Sequence, residues 1–136
     1  MRNYGKSVFG LDANIVAMLC YLLSLICALG LVLSIITVVL EKSNKLARFH
    51  AWQSILLSII ILLLSVAYSS IGFLAVLGDG KESTSLSLLI GFVFWLISLG
   101  ISLTIFVFMI IAAIKAYNGE IYKIPLVGEY ADRFSS

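Results

Sequence analysis

Three long apolar runs, Asn14 to Leu40, Ser54 to Leu77 and Ser85 to Ala113, contain no Asp, Glu, Lys, Arg or His. A helix needs ~20 such residues to cross a ~30 Å hydrocarbon core, and each run is longer than that. No soluble fold could hide all three, because the chain is 62% apolar and 12% charged over only 136 residues. Backbone polar groups in lipid must be paired internally, which leaves helices or closed barrels. Barrel strands would be about half as long and would alternate in polarity; Ile55 to Tyr68 shows no alternation. The fold class expected is therefore all-α. It is an integral membrane bundle of three transmembrane helices over 14–40, 54–77 and 85–113, ending in a short amphipathic cytoplasmic tail over 117–136, and residues 1–136 form a single membrane domain.

The runs correspond to about 36 to 43 Å of helix, so the spans should tilt or project past the headgroups. Asp12 suits the N-cap of the first helix. The polar lead from Met1 to Asp12, followed by so long a run, does not read as a cleaved signal peptide. The segment Gly78 to Thr84 is short and Gly-rich, which joins helices two and three as an antiparallel hairpin. The first loop, Glu41 to Phe49, suits a short interfacial helix. Pro is absent from the spans, so the broken-helix signature of many transporters is missing.

Lys and Arg beside spans stay in the cytoplasm. With three spans, Arg2, Lys6 and Lys81 share one face, and Lys42, Lys45, Arg48, Lys115, Lys123 and Arg133 share the other. The expectation is a multi-pass protein of the cell membrane with its N-terminus outside and its C-terminus cytoplasmic. A net charge of +2 gives no reason to expect nucleic acid.

Small and weakly polar residues fall on one side of each helix: Cys20, Ser24, Cys27 and Ser34; Ser54, Ser58, Ser65 and Ser69; Ser87, Gly91, Ser98 and Ser102. Such stripes let helices approach closely, and packing explains them without a water-filled path. Trp52, Phe73 and Tyr117 sit where aromatic belts are expected, while Phe92, Phe94, Trp95, Phe106 and Phe108 lie deeper, in packing or lipid contact. Catalysis has little to work with: one His, no carboxylate within the spans, and Cys20 and Cys27 about 10 Å apart along the helix, too far for a disulfide. No catalytic group, metal, cofactor or small-molecule ligand is expected.

Two segments are more specific than connectors. One is Arg48-Phe49-His50-Ala51-Trp52-Gln53-Ser54 before helix two; the other runs from Ala116 through Gly119, Glu120, Tyr122, Ile124, Pro125 and Gly128 to Ala131 after helix three. In this order and spacing, from about Ala13 to Ala131, they resemble the Tic-twenty-like family of small prokaryotic membrane proteins, named for similarity to a chloroplast inner-envelope import component. The resemblance implies a multi-pass membrane protein and carries no catalytic residue across. The import component has four spans, one more than the three read here.

The residues themselves give an interaction motif: Arg48, Phe49, His50, Gln53, Ser54, Gly119, Glu120, Tyr122, Pro125 and Gly128. His50 could hydrogen-bond the tail or titrate near ~6.5, or simply solvate the helix entrance. Arg48 could hold an anionic headgroup or pair with Glu120. Gly119 suits a left-handed helix C-cap, with Pro125 preventing continuation. Val127, Tyr130 and Phe134 would share the apolar face of a surface helix, with Glu129, Asp132 and Arg133 toward water. The tail should fold back against the His50 segment. The function expected is a scaffold or subunit of a membrane complex, partnered by the bilayer and by a second copy or another membrane protein; the alternative is a small oligomeric transporter or protein-translocation component.

Overall fold

The computed structural model describes residues 5–26, 29–78 and 85–135, and side chains throughout these except at 73–78 and 85–88. The 79–84 connection, Arg2, Lys81 and Cys27, and the side chains of Phe73 and Ser87, lie outside the described residues. What is described is helical: α1 (Ala13–Ile26), α2 (Leu29–Leu40), α3 (Lys45–Gly78), α4 (Ser85–Tyr117) and α5 (Val127–Ser135). The chain divides into two compact units, one built from residues up to Ile59 and from Phe106 onward, the other from Ile60 to Ile105.

The first apolar run is not one helix. It forms α1 and α2, of 14 and 12 residues, packed against one another. At ~1.5 Å per residue they are about 21 and 18 Å long, and neither reaches across a ~30 Å core. The expected single span over 14–40 is thus replaced by a hairpin. The physical reason lies in small residues at its closed end: a Cβ on Gly30 would collide with the backbone of Ser24. Lower down, Cys20 of α1 faces Ser34 and Thr37 of α2.

A hairpin returns to the side it started from, and the polar contacts agree. Val8 N–H donates to Glu41 Oε2 at 2.9 Å, and Asn14 Nδ2 donates to the carbonyl of Tyr117 at 3.1 Å. The N-terminal lead, the 41–44 loop and the end of α4 therefore meet at one end of the first unit, which corrects the placement of lead and tail on opposite faces. Residues 5–12 of the lead form a tight loop with Gly5 and Gly10 at positive φ. It hands over to α1 at Asp12, whose carbonyl accepts from Ile15 and Val16.

α3 begins at Lys45, so the interfacial helix expected within 41–49 is the first turns of α3. Asn44 caps it: Ala47 N–H donates to Asn44 Oδ1 at 3.3 Å and Arg48 N–H to its carbonyl. α3 and α4 are both long and apolar enough to cross a membrane, over Lys45–Gly72 and Leu89–Tyr117. Within the second unit their described apolar side chains are exposed except for the half-buried Ile105, Leu62 by 59% and Leu63 by 63%. A soluble protein's core helix would be covered.

α4 ends as the sequence reading expects. Gly119 takes φ 73°, and Gly119 and Glu120 donate back to the carbonyls of Ala116 and Lys115, the paired bonds of a Schellman cap. The core of the first unit is built largely of small residues, with Ala13, Ala17, Ala47, Ala51, Ala112, Ala113 and Ala116 all buried. Close backbone approach of this kind is how helices pack where lipid and side chain are equally apolar.

Candidate functional site: a buried polar staple

At the polar end of the first unit, the two sequence motifs are joined by one hydrogen-bonded chain. The backbone carbonyl of Glu120 can only accept, so His50 Nε2 carries the proton and donates to it at 3.0 Å. His50 Nδ1 is then an acceptor, and Tyr21 O–H donates to it at 2.9 Å. Gln53 Nε2 donates to the Tyr21 oxygen at 3.1 Å and to the Tyr122 carbonyl at 3.2 Å, while Gln53 Oε1 accepts the Ile124 N–H at 3.4 Å. Each donor meets an acceptor, which fixes the neutral imidazole and its tautomer. Tyr21, His50 and Gln53 are fully buried, and the His50 ring is held edge-on between Tyr21 and Phe49, at centroid distances of 5.6 and 5.1 Å.

One turn further along α3, Ser54 donates to the Cys20 carbonyl at 2.9 Å and meets Ser24 Oγ at 3.2 Å. That is the contact the helix-one and helix-two stripes were expected to make. Beyond it the stripe behaves differently: Ser58, Ser65 and Ser69 donate to carbonyls of α3 itself, those of Ser54, Leu62 and Ser65. A hydroxyl without a polar neighbour returns to its own backbone.

Arg48 does not pair with Glu120. That carboxylate is taken by Lys115 at 2.7 Å, and Arg48 makes no ion pair among the described residues. Arg48 Nε and Trp52 Nε1 are buried with no hydrogen-bond partner among the described residues. Pro125 is exposed, and Gly128 is buried where a Cβ would strike the backbone of Lys123. Close approach at Gly128 turns α5 so that Val127, Gly128, Ala131 and Ser135 are covered. Of the expected Val127, Tyr130, Phe134 face, Val127 is buried and Tyr130 is 57% exposed. Phe134 instead lies over the Trp52 indole, 5.1 Å between centroids. Asp132 is not simply solvated: Lys123 at 2.8 Å and Lys45 at 3.7 Å hold it, and the Lys123 hydrogen bond is the chief cause that keeps its carboxyl below the ordinary range.

Sequence reasoning missed Tyr21 and Glu41. Tyr21 is the one aromatic hydroxyl inside the first apolar run, a signal that was available. Glu41 is buried in the loop after α2 and accepts from Val8 N–H, Ser43 Oγ at 2.9 Å and Asn44 N–H at 3.2 Å. Burial pushes its carboxyl up, but these donors outweigh it and hold the group below its usual value. Among the described residues no group of three or more His, Cys, Asp or Glu is assembled for a metal, and Cys20 is a buried free thiol.

Residues 12–131 match the model of the magnetosome magnetite crystal formation protein family. The chain belongs to this family. Its similarity to curated proteins is of the same extent. It is 34% identical over 131 residues to a UPF0132 membrane protein of Methanocaldococcus jannaschii, covering 96% of each chain. A second UPF0132 membrane protein of that organism is 33% identical over 125 residues, 92% of this chain and 71% of that one. One from Archaeoglobus fulgidus is 28% identical over 120 residues, 88% and 92%. No solved structure matches. These relatives make the chain a member of a family of small prokaryotic membrane proteins, the coarse part of the resemblance read from the motifs; the names they carry are not Tic-twenty-like. The family match runs from the N-cap of α1 to Ala131 in α5 and so contains the whole staple.

Proposed function

We propose that this protein is a structural subunit of an assembly in the cell membrane. In this reading α3 and α4 cross the bilayer, the α1–α2 hairpin enters from one side without crossing, and the staple end lies in the cytoplasm. The observation that carries it is the staple: His50 and Gln53, linked through Tyr21, bond the tail backbone and close the polar end of the first unit, while in the second unit the apolar surfaces of α3 and α4 remain uncovered. Orientation is supported by charge. Lys6, Lys42, Lys45, Arg48, Lys115, Lys123 and Arg133 flank the staple end, while Lys81 stands alone in the 79–84 connection.

The family description, magnetite crystal formation, is compatible with such a subunit acting on the membrane around a crystal. Transport or polypeptide translocation is the second reading, and the serine stripe favours it less. Hydroxyls of Ser65, Ser69 and Thr104 that donate to their own helix suit lipid or protein contact. Photo-cross-linkers at Leu62 and Phe92 in native membranes separate the two. Capture of a second copy or one stable membrane protein supports the subunit; capture of many unrelated unfolded polypeptides replaces it with translocation. Thiol labelling from one side only should reach cysteines at positions 6 and 115 together, and not one at 81.

A further inference from the structure

The α1–α2 hairpin differs from α3 and α4 in the depth it can reach. Its arms hold 14 and 12 residues, about 21 and 18 Å of helix, and its open end is held together with the lead where Val8 N–H meets Glu41. With its headgroups a bilayer is ~40–45 Å thick, so arms of this length fill about one leaflet. Burial along the long helices stops at a matching depth. Among the described side chains of α3 the last one buried is Leu57, 12 residues past Lys45 or about 18 Å. Those buried on α4 all lie from Met109 onward. Beside the turn between its arms the hairpin is apolar and uncovered: Ile26 is exposed by 79% and Leu29 by 60%, with Val32 following at 50%. Acyl chains suit such a surface.

We propose that the hairpin is a wedge in one leaflet, and that the protein gathers on membrane that is convex on the hairpin's side. The inference rests on the reading above in which α3 and α4 cross. A slice through the bilayer on the hairpin's side then contains four helices, and a slice on the other side contains two. Each helix is ~10–12 Å wide with its side chains, so the protein takes about twice the area in one leaflet. Lipid is displaced from that leaflet alone, and outward bending relieves the crowding where flat membrane keeps it. The staple stops the hairpin from folding away: Tyr21 bonds His50, and Ser54 bonds the Cys20 carbonyl, so α1 is fixed to α3. With the staple end in the cytoplasm, the favoured surface is one that bulges into the cytoplasm. The partner is a lipid surface of one sign of curvature, whatever its headgroups.

The test uses the full chain with Lys6→Cys in a Cys27→Ser background, reconstituted into giant vesicles of dioleoyl phosphatidylcholine from which narrow tubes are pulled. An impermeant maleimide dye added outside marks molecules whose staple end faces out, and a permeant dye of a second colour then marks the rest. The outer leaflet of a tube is convex. Relative to a lipid dye, the outward population should be enriched in the tube by about threefold and the inward population depleted. Ile26→Ala, Leu29→Ala and Val32→Ala together trim the wedge and leave its packed face alone, so they should lower the enrichment. Equal partitioning of the two populations would overturn the proposal. So would enrichment unchanged by the three alanines, since the extra area would then lie outside the hairpin. In a Lys6→Cys, Lys81→Cys double variant the impermeant reagent adds to one thiol per molecule if α3 crosses and the hairpin does not. Two or none would overturn that reading and the curvature preference with it, whereas one thiol with equal partitioning overturns the preference alone.

Discussion

Replacing Gln53 with Leu tests the staple most directly, because the two side chains are of similar size and only the amide is lost. Gln53 holds the tail through the Tyr122 carbonyl and the Ile124 N–H. The Tyr21 oxygen keeps its bond to His50 when the amide goes, so the penalty falls on the two tail groups. A buried group left unpaired costs about 1–3 kcal/mol. The Ile124 bond, at 3.4 Å, is long and belongs at the low end. We expect the tail to be released by roughly 2 kcal/mol, about 30-fold in the opening equilibrium. Hydrogen exchange over residues 120–126 of the detergent-solubilised protein reads this, since local opening exposes those amides without unfolding the helices. Exchange unchanged within about twofold would mean that Gln53 does not hold the tail. An equal acceleration in the middle of α3 would mean that the staple supports the whole unit rather than the tail.

Glu41 makes the N-terminal lead pH-dependent. Its folded carboxyl is held below the ordinary 4.5, so the unfolded chain binds the proton more readily; its contribution is complete above that value and is lost as pH falls through the lower folded one. Thermal unfolding followed by circular dichroism should show Glu41→Gln less stable than wild type at pH 7, with the gap closing as the solution is acidified. A gap independent of pH would refute this role for the Glu41 carboxylate. Gly30→Leu should force α2 off α1, since the new side chain meets the Ser24 backbone, at a cost of about 1–3 kcal/mol or more. In a Cys27→Ser background, a disulfide between Cys20 and Ser34→Cys should form on oxidation and fail to form when Gly30→Leu is added.

What the sequence determined by itself was what composition and local geometry decide. Runs free of charge had to be helical and had to leave water, and α3 and α4 are such helices. Gly119 had to end α4, because a residue without Cβ followed closely by Pro125 offers a left-handed cap and no continuation. Meeting of the His50 and Tyr122 segments was legible because both lie at matching ends of adjacent apolar runs. Tertiary structure alone decided the rest. Counting apolar residues cannot tell one 27-residue helix from two short ones, because hydropathy is blind to direction; the reversal depends on Gly30 lying on Ser24, a contact between residues on different helices. That one reversal moved the N-terminal lead to the tail's side and gave Glu41 its donors. On α5 likewise, the space beside Lys123 admits only Gly128, so close approach of backbones, which no count of apolar residues contains, set which residues are covered.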